Sequence, residues 1–403
     1  MKKILIIGDN LHSKELIDVA KANGVHTVIT DNKAFVESQS KKIADEYWDI
    51  SVTDINELEK KAKEEGIDGI TCGASELCLA TVRELCKRLR LPFWIDDNAW
   101  EIINNKKRFK ELCRECGLPV AKDYKLDISF KQVDLEKIEY PVIVKPADGS
   151  SSIGVHVCTN EKELKEGYQD AYSSSKAKKV VVERYYSGLE VQLLFAFHEG
   201  KAYLATTGDT YGDKKSNNTI VFASGPTRQM LRFEKEWKEP AEKLFRKLKC
   251  NKGIGFIQIV LDGNDAAVME MNYRLPGIHN NMDSLMYKCM MDCALGENTV
   301  TEQDLSYHSF DQFCYALWLK PGTISRIEGV DDIKIKMNSL HITITKKVGD
   351  VISDNEGMRR IFAYLISMNN NDEIKNNIEY INETVKVFDI DGNDMIYKYT
   401  YSS

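Results

Sequence analysis

Along residues 1–95, short apolar runs alternate with stretches in which apolar side chains recur every third or fourth position. The runs predict strands over 3–7, 26–29 and 67–71, and the helical spacing predicts helices over 13–23, 56–65 and 76–90. Strands separated by helices imply a parallel sheet with crossover connections, a Rossmann-like lobe. Gly8 closes the first run, but Asp9, Asn10 and Leu11 follow it in place of a glycine fingerprint, so no nicotinamide is expected there.

The pattern changes at Asn98. Phe109, Leu112, Cys113 and Cys116 recur at helical spacing, and Gly117 supplies a stop before Leu118 and Pro119. Runs rich in Val and Ile then predict strands over 142–145, 153–157, 180–183, 191–197, 201–206, 256–261 and 266–271, an α+β region. The last hundred residues hold an extended segment near 338–345, Gly349 and a helical stretch near 372–384, which reads as a small capping subdomain. The expected organisation is an α/β lobe over 1–97, linker helices and two α+β subdomains over 98–305 (about 120–186 and 187–305), and an α+β cap over 306–403.

Composition narrows the function classes. With 403 residues, 43% hydrophobic and 29% charged, the chain has room for several cores and no apolar run of membrane-spanning length, so a soluble cytoplasmic protein without a membrane partner is expected. A net charge of −7 without a basic block argues against nucleic acid, which demands clustered Lys and Arg, and favours small-molecule partners. The Cys113/Cys116 pair has CxxC spacing but lies on the apolar side of its helix, with no second pair and no His cluster. Buried thiols in a reducing compartment are expected.

Three segments carry candidate chemistry. In 140–155 a strand ends at Lys145 and runs into Gly149, Ser150, Ser151, Ser152 and Gly154. Small residues let backbone N–H groups approach phosphate oxygens, and a lysine adds a point charge against them. Val155 and His156 stand where a Walker loop needs Lys and Ser or Thr, so that class of NTPase is excluded. Taken alone, the same residues also fit a surface hairpin with a snorkelling lysine.

In 180–190 a buried run ends at Glu183, followed by Arg184, Tyr185, Tyr186, the turn residue Gly188 and Glu190. One carboxylate suits an adenine amino group and the other ribose hydroxyls, against the plainer reading of two solvated acids. In 255–274 two strands joined by a turn carry Gln258, Glu270, Asn272 and Arg274 among apolar neighbours. Alternation puts Glu270 and Asn272 on one face with Val268, and Met269 and Met271 behind it. A three-residue turn at 263–265 sets Gln258 opposite Glu270, an oxygen cluster suited to Mg²⁺. Arg274 is then placed to clamp a carboxylate or a transferring phosphoryl group, or else to pair with a nearby acid.

At these residues the chain resembles the ATP-grasp superfamily, nearest to carboxylate–amine ligases such as biotin carboxylase, the carbamoyl phosphate synthetase large chain and the L-amino-acid ligases. The resemblance implies that Lys106 and Lys145 touch ATP phosphates and that Glu183, Tyr185 and Tyr186 form the hinge holding adenine. It implies further that Glu190 holds the ribose, that Gln258, Glu270 and Asn272 hold one or two Mg²⁺ ions, and that Arg274 is catalytic. Gln258 stands where an acid is more usual, and serines fill a loop where many members carry glycines. After Arg274, Leu275-Pro276-Gly277-Ile278-His279-Asn280 is closer to the amino-acid ligases than to biotin carboxylase.

The function so implied is ADP-forming ligation of a small carboxylate and an amine through an acyl phosphate, with a homodimer a further expectation. A bicarbonate-activating enzyme and a non-catalytic ATP-binding regulator are the alternatives. Residues 212–218 read either as a lid over the acceptor site or as a solvated turn.

Overall fold

The strands Lys3–Ile7, His26–Thr30, Glu46–Trp48 and Gly69–Cys72 pair in parallel, with Lys3–Ile7 between His26–Thr30 and Gly69–Cys72. Helices cover the sheet, including Ser13–Ala22 and Glu76–Leu89, which is why Leu5, Ile6 and Ile7 are all buried and the strand reads as a continuous apolar run. The strand Glu46–Trp48 left no pattern in the sequence because three residues, one of them charged, are too few to show alternation. The strand order is built outward on both sides of Lys3–Ile7, and beyond the carboxyl ends of that strand and of Gly69–Cys72 the two following segments meet, the Ala74 N–H donating to the Leu11 carbonyl at 3.2 Å. This is a computed structural model, and it describes residues 1–148, 154–213, 218–277, 284–305, 312–337, 340–367 and 371–401.

A second sheet is antiparallel, in the order Asp123–Tyr124, Val180–Arg184, Val142–Pro146, His156–Cys158. The helix Glu161–Ser174 backs it, and Leu164, Tyr168 and Ala171 close a core of their own with Val142, Val144 and Val182. That helix was not anticipated, although its start is written locally. Asn160 Oδ1 accepts from the Glu163 N–H at 3.0 Å, and the Glu163 carboxylate accepts from the Thr159 N–H at 2.7 Å.

The third sheet has eight strands, in the order Asp265–Asn272, Lys252–Asp262, Glu190–His198, Lys201–Asp213, Asn218–Gly225, Gln312–Trp318, Ile361–Ser367, His341–Ile344. Lys201–Asp213 runs well past the expected end at 206, through polar positions that alternation alone does not reveal. The sheet also crosses the boundary expected at 305/306, since its last three strands come from the C-terminal region. That region nevertheless has a separate apolar core, in which Trp318, Phe362 and Ile324 meet Ile378 and Ile381 of the helix Asn371–Thr384.

On one face of the large sheet, Phe195 and Phe197 stack edge-on against Phe245 at 4.8 and 4.9 Å, next to the buried Trp237. The same core takes in the N-terminal sheet and the helix Lys106–Cys116 through Phe109, Cys113 and Cys116. The 123–184 lobe shares none of it and closes on its own core. Among the described residues no helix is long and apolar enough to cross a membrane.

Candidate active site

The strands Lys252–Asp262 and Asp265–Asn272 turn through two residues, Gly263 and Asn264, because Asp262 pairs with Asp265. A two-residue turn would have put Gln258 opposite Met269. The register instead shifts between Gln258 and Ile259, inserting Met269 as an extra residue, and Gln258 pairs with Glu270. The expected pairing is thus present for a different reason than the expected three-residue turn. The bulge also corrects the faces: Val268 and Met271 are buried in the main core, whereas Met269 is 48% exposed rather than packed behind.

Because Gln192 also pairs with Gln258, three neighbouring strands present Gln192, Gln258 and Glu270 in one row, with Glu190 and Asn272 beside it. Gln258 Nε2 donates to Glu190 Oε1 at 2.6 Å, and Asn272 Nδ2 donates to Glu270 Oε1 at 2.8 Å. Gln192 Oε1 is buried without a hydrogen-bond partner. Burial pushes the Glu190 carboxyl above its ordinary value, opposed by hydrogen bonds from Gln258 and Gln192 and reinforced by the Glu270 charge. Among the described residues no three His, Cys, Asp or Glu side chains gather as a metal cluster. The oxygen donors here are the Glu270 carboxylate and the amides of Gln192, Gln258 and Asn272, with the Glu190 carboxylate beside them, a hard set that fits Mg²⁺ when phosphate oxygens and water complete it.

On the sheet of the 123–184 lobe, Glu183 stands one residue before the end of its strand with only 9% exposure, and its two oxygens accept separately, from Lys145 at 2.6 Å and from Lys110 at 2.8 Å. Lys110 also donates to Asp123 at 2.5 Å. Lys106 begins the same helix, and its ammonium lies close enough to Lys145, Glu270 and Glu183 for all three to act on its charge. Although the residue as a whole is exposed, desolvation of the ammonium and then the Lys145 charge lower its pKa, while Glu270 and Glu183 raise it. Lys110 and Asp123 went unnoticed in the sequence, because a lysine among Lys106, Lys107 and Arg108 carries no signal of its own.

Burial would push the Glu183 carboxyl up, but Lys145 and Lys110 outweigh it and hold the group below its ordinary 4.5. A depressed acid contributes stability that is present above the unfolded value and lost as pH falls through the folded one. Glu183→Gln is therefore expected to cost about 1.5–3 kcal/mol at neutral pH. In urea unfolding, that difference from wild type should shrink as pH is lowered below 4.5. A difference independent of pH would contradict the ion-pair account.

Arg274 is 12% exposed; its Nε donates to Glu76, its guanidinium donates to the Leu275 carbonyl at 2.8 Å, and it lies 5.5 Å from the Phe256 ring centre. The pairing with an acid, one of its two expected readings, is what this state contains. Glu76 opens the helix Glu76–Leu89, so this bridge joins the parallel-sheet lobe to the large sheet. Nearby, buried His12 contacts Tyr287 Oη at 2.9 Å and the Pro276 carbonyl at 2.7 Å.

Between the strands Val180–Arg184 and Glu190–His198, Arg184 donates to Asp265 at 2.6 Å and lies over Tyr186. Tyr185 and Tyr186 are half-buried, and burial raises the pKa of both phenols. Gly188 is required by close approach, because a Cβ there would lie 2.0 Å from the Leu261 carbonyl oxygen. Gly154 has a left-handed φ of 68° and packs against Ser174. Gly149, Ser150, Ser151 and Ser152, the centre of the 212–218 loop and 278–280 lie outside the described residues. All ten cysteines are buried, and burial pushes the Cys113 thiol up to about 12.

Residues 112–292 match the family model described as D-ala D-ala ligase C-terminus. A D-alanine–D-alanine ligase of Oceanobacillus iheyensis is 28% identical over 185 residues, covering 42% of this chain and 48% of that protein. The chain spans about half the length of the first curated relatives it matches. Among solved structures, an L-amino acid ligase from Bacillus licheniformis superposes with a TM-score of 0.77 at 16% identity, over 96% of this chain and 99% of that one. The biotin carboxylase domain of Hydrogenobacter thermophilus 2-oxoglutarate carboxylase, solved with MgADP and bicarbonate, gives a TM-score of 0.73 at 19% identity, over 98% and 91%.

The chain is thus similar to D-alanine–D-alanine ligases over part of its length and shares its fold with an L-amino acid ligase and a biotin carboxylase domain.

Proposed function

We propose that this chain is an ATP-dependent carboxylate–amine ligase acting on a small amino-acid-like acid. ATP enters the cleft with its base at the hinge by Glu183, Tyr185 and Tyr186 and its ribose at Glu190. The γ-phosphoryl group passes to the substrate carboxylate, breaking the bond to the β-phosphate oxygen and leaving ADP. The acyl phosphate is then attacked by an amine, which loses a proton as phosphate departs and the amide forms. No protein nucleophile takes part, so positioning and charge neutralisation carry the catalysis.

The observation that carries this reading is the row Gln192, Gln258 and Glu270 on three neighbouring strands of the large sheet, with the Lys106 charge within electrostatic range of both Glu270 and Lys145. Two close ammonium groups repel, and a triphosphate relieves that repulsion. Glu270, Asn272 and Gln258 would hold one or two Mg²⁺ ions, which when bound neutralise phosphate oxygens. Arg274 supplies a planar fork for the carboxylate or for the transferring phosphoryl group.

A coupled assay of ADP release with pooled amino acids tests the proposal. Turnover that requires an amino acid pair supports it. ADP release dependent on bicarbonate instead would identify a bicarbonate-activating enzyme, and ATP binding without ADP formation over a broad acid panel would identify a regulator.

A further inference from the structure

We propose that Lys110 is a positioning residue for the nucleotide base, holding the Glu183 carboxylate in place at the hinge when Lys145 turns from it to the triphosphate. The proposal rests on the reading above that ATP occupies this cleft. Its basis is the division of labour around Glu183. One oxygen accepts from Lys145 at 2.6 Å and the other from Lys110 at 2.8 Å, so the two lysines do not compete for the same lone pairs.

The two lysines are tethered differently. Lys145 lies at the end of Val142–Pro146, where the chain runs toward the small-residue loop, and it shares its surroundings with the Lys106 charge. Lys110 stands one helical turn beyond Lys106 and is gripped from both sides. Asp123 pairs with Glu183 across the strands, and Lys110 spans both carboxylates, reaching Asp123 at 2.5 Å. Arg114, a further turn along the helix, reaches Asp123 at 3.2 Å.

An anion in the cleft draws Lys145 away and leaves a carboxylate of 9% exposure to be compensated. A buried acid stripped of its only cation is heavily penalised, and it would protonate or turn toward solvent instead of facing the base. With Lys110 fixed on Asp123, Glu183 keeps one charged hydrogen bond throughout and its remaining oxygen stays available to an exocyclic amino group. Lys110 itself, with 12% of its side chain exposed, is committed to the acid pair and is not a phosphate ligand.

The test is equilibrium binding of ATP and of ITP, which carries a carbonyl in place of the amino group, to the full chain. Wild type is expected to favour ATP by at least about tenfold, the scale of one lost hydrogen bond to a charged group. Lys110→Met should weaken ATP by about tenfold while changing ITP by less than about twofold, with kcat at saturation little altered, and Lys110→Arg should restore the preference. Asp123→Asn, which loosens Lys110 without touching Glu183, should lose part of the preference and serves if the Met variant does not fold. An ATP-to-ITP ratio unchanged in both variants, or equal weakening of the two nucleotides, would overturn the assignment. So would a wild type that binds ATP and ITP alike. A wild type that binds neither would overturn the proposed function, and this inference with it.

Discussion

Glu270→Ala is expected to lower kcat/KM for ADP release by about a thousandfold, a loss typical of removing a central charge-stabilising group. Glu270 is the carboxylate of its row, and without it Gln192, Gln258 and Asn272 offer the phosphates only neutral amides, with Glu190 already engaged by Gln258. The residue is exposed, so the substitution should leave stability within about 0.5 kcal/mol of wild type. Glu270→Gln separates charge from shape: it keeps an acceptor for Asn272 and should be nearly as inactive. Turnover that persists undiminished in either variant would defeat the metal-site reading.

Arg274→Ala carries the second large effect, a fall in kcat of about a hundred- to a thousandfold. Phe256 and the Leu275 carbonyl fix the guanidinium at the cleft, and Glu76 holds it across the lobes. A substrate carboxylate that claims Arg274 must displace Glu76, so Glu76→Gln should be far milder than loss of the arginine. Arg274→Lys retains the charge but not the fork, and recovery should be slight. A variant whose KM rises while kcat holds would assign Arg274 to ground-state binding alone.

Particular residues show how much was legible in advance. Lys3–Ile7 announced itself because a strand buried on both faces is apolar throughout. Glu270 and Asn272 stood out as polar residues at alternate positions in an apolar strand. The bulge at Met269 was invisible, since a two-residue turn with a bulge and a three-residue turn without one give the same pairing at Gln258. The helix Glu161–Ser174 was legible in its cap but overlooked among many charged residues. The continuation of the large sheet into Gln312–Trp318 and Ile361–Ser367 is a matter of which edge each strand joins, about which alternation is silent.

By itself the sequence determined what depends on near neighbours: the alternating elements of the first lobe, the small-residue loop after Lys145, the polar residues of the hairpin and the superfamily they resemble. Only the tertiary structure decided which charges meet. Arg274 finds Glu76 across 198 positions and Lys110 finds Glu183 across 73, and contacts at that separation leave no period or spacing to read. The physical reason is that hydrogen-bond geometry and hydrophobic periodicity act over a few residues, whereas a cleft forms only when separate cores have packed and carried their surface charges to a common place.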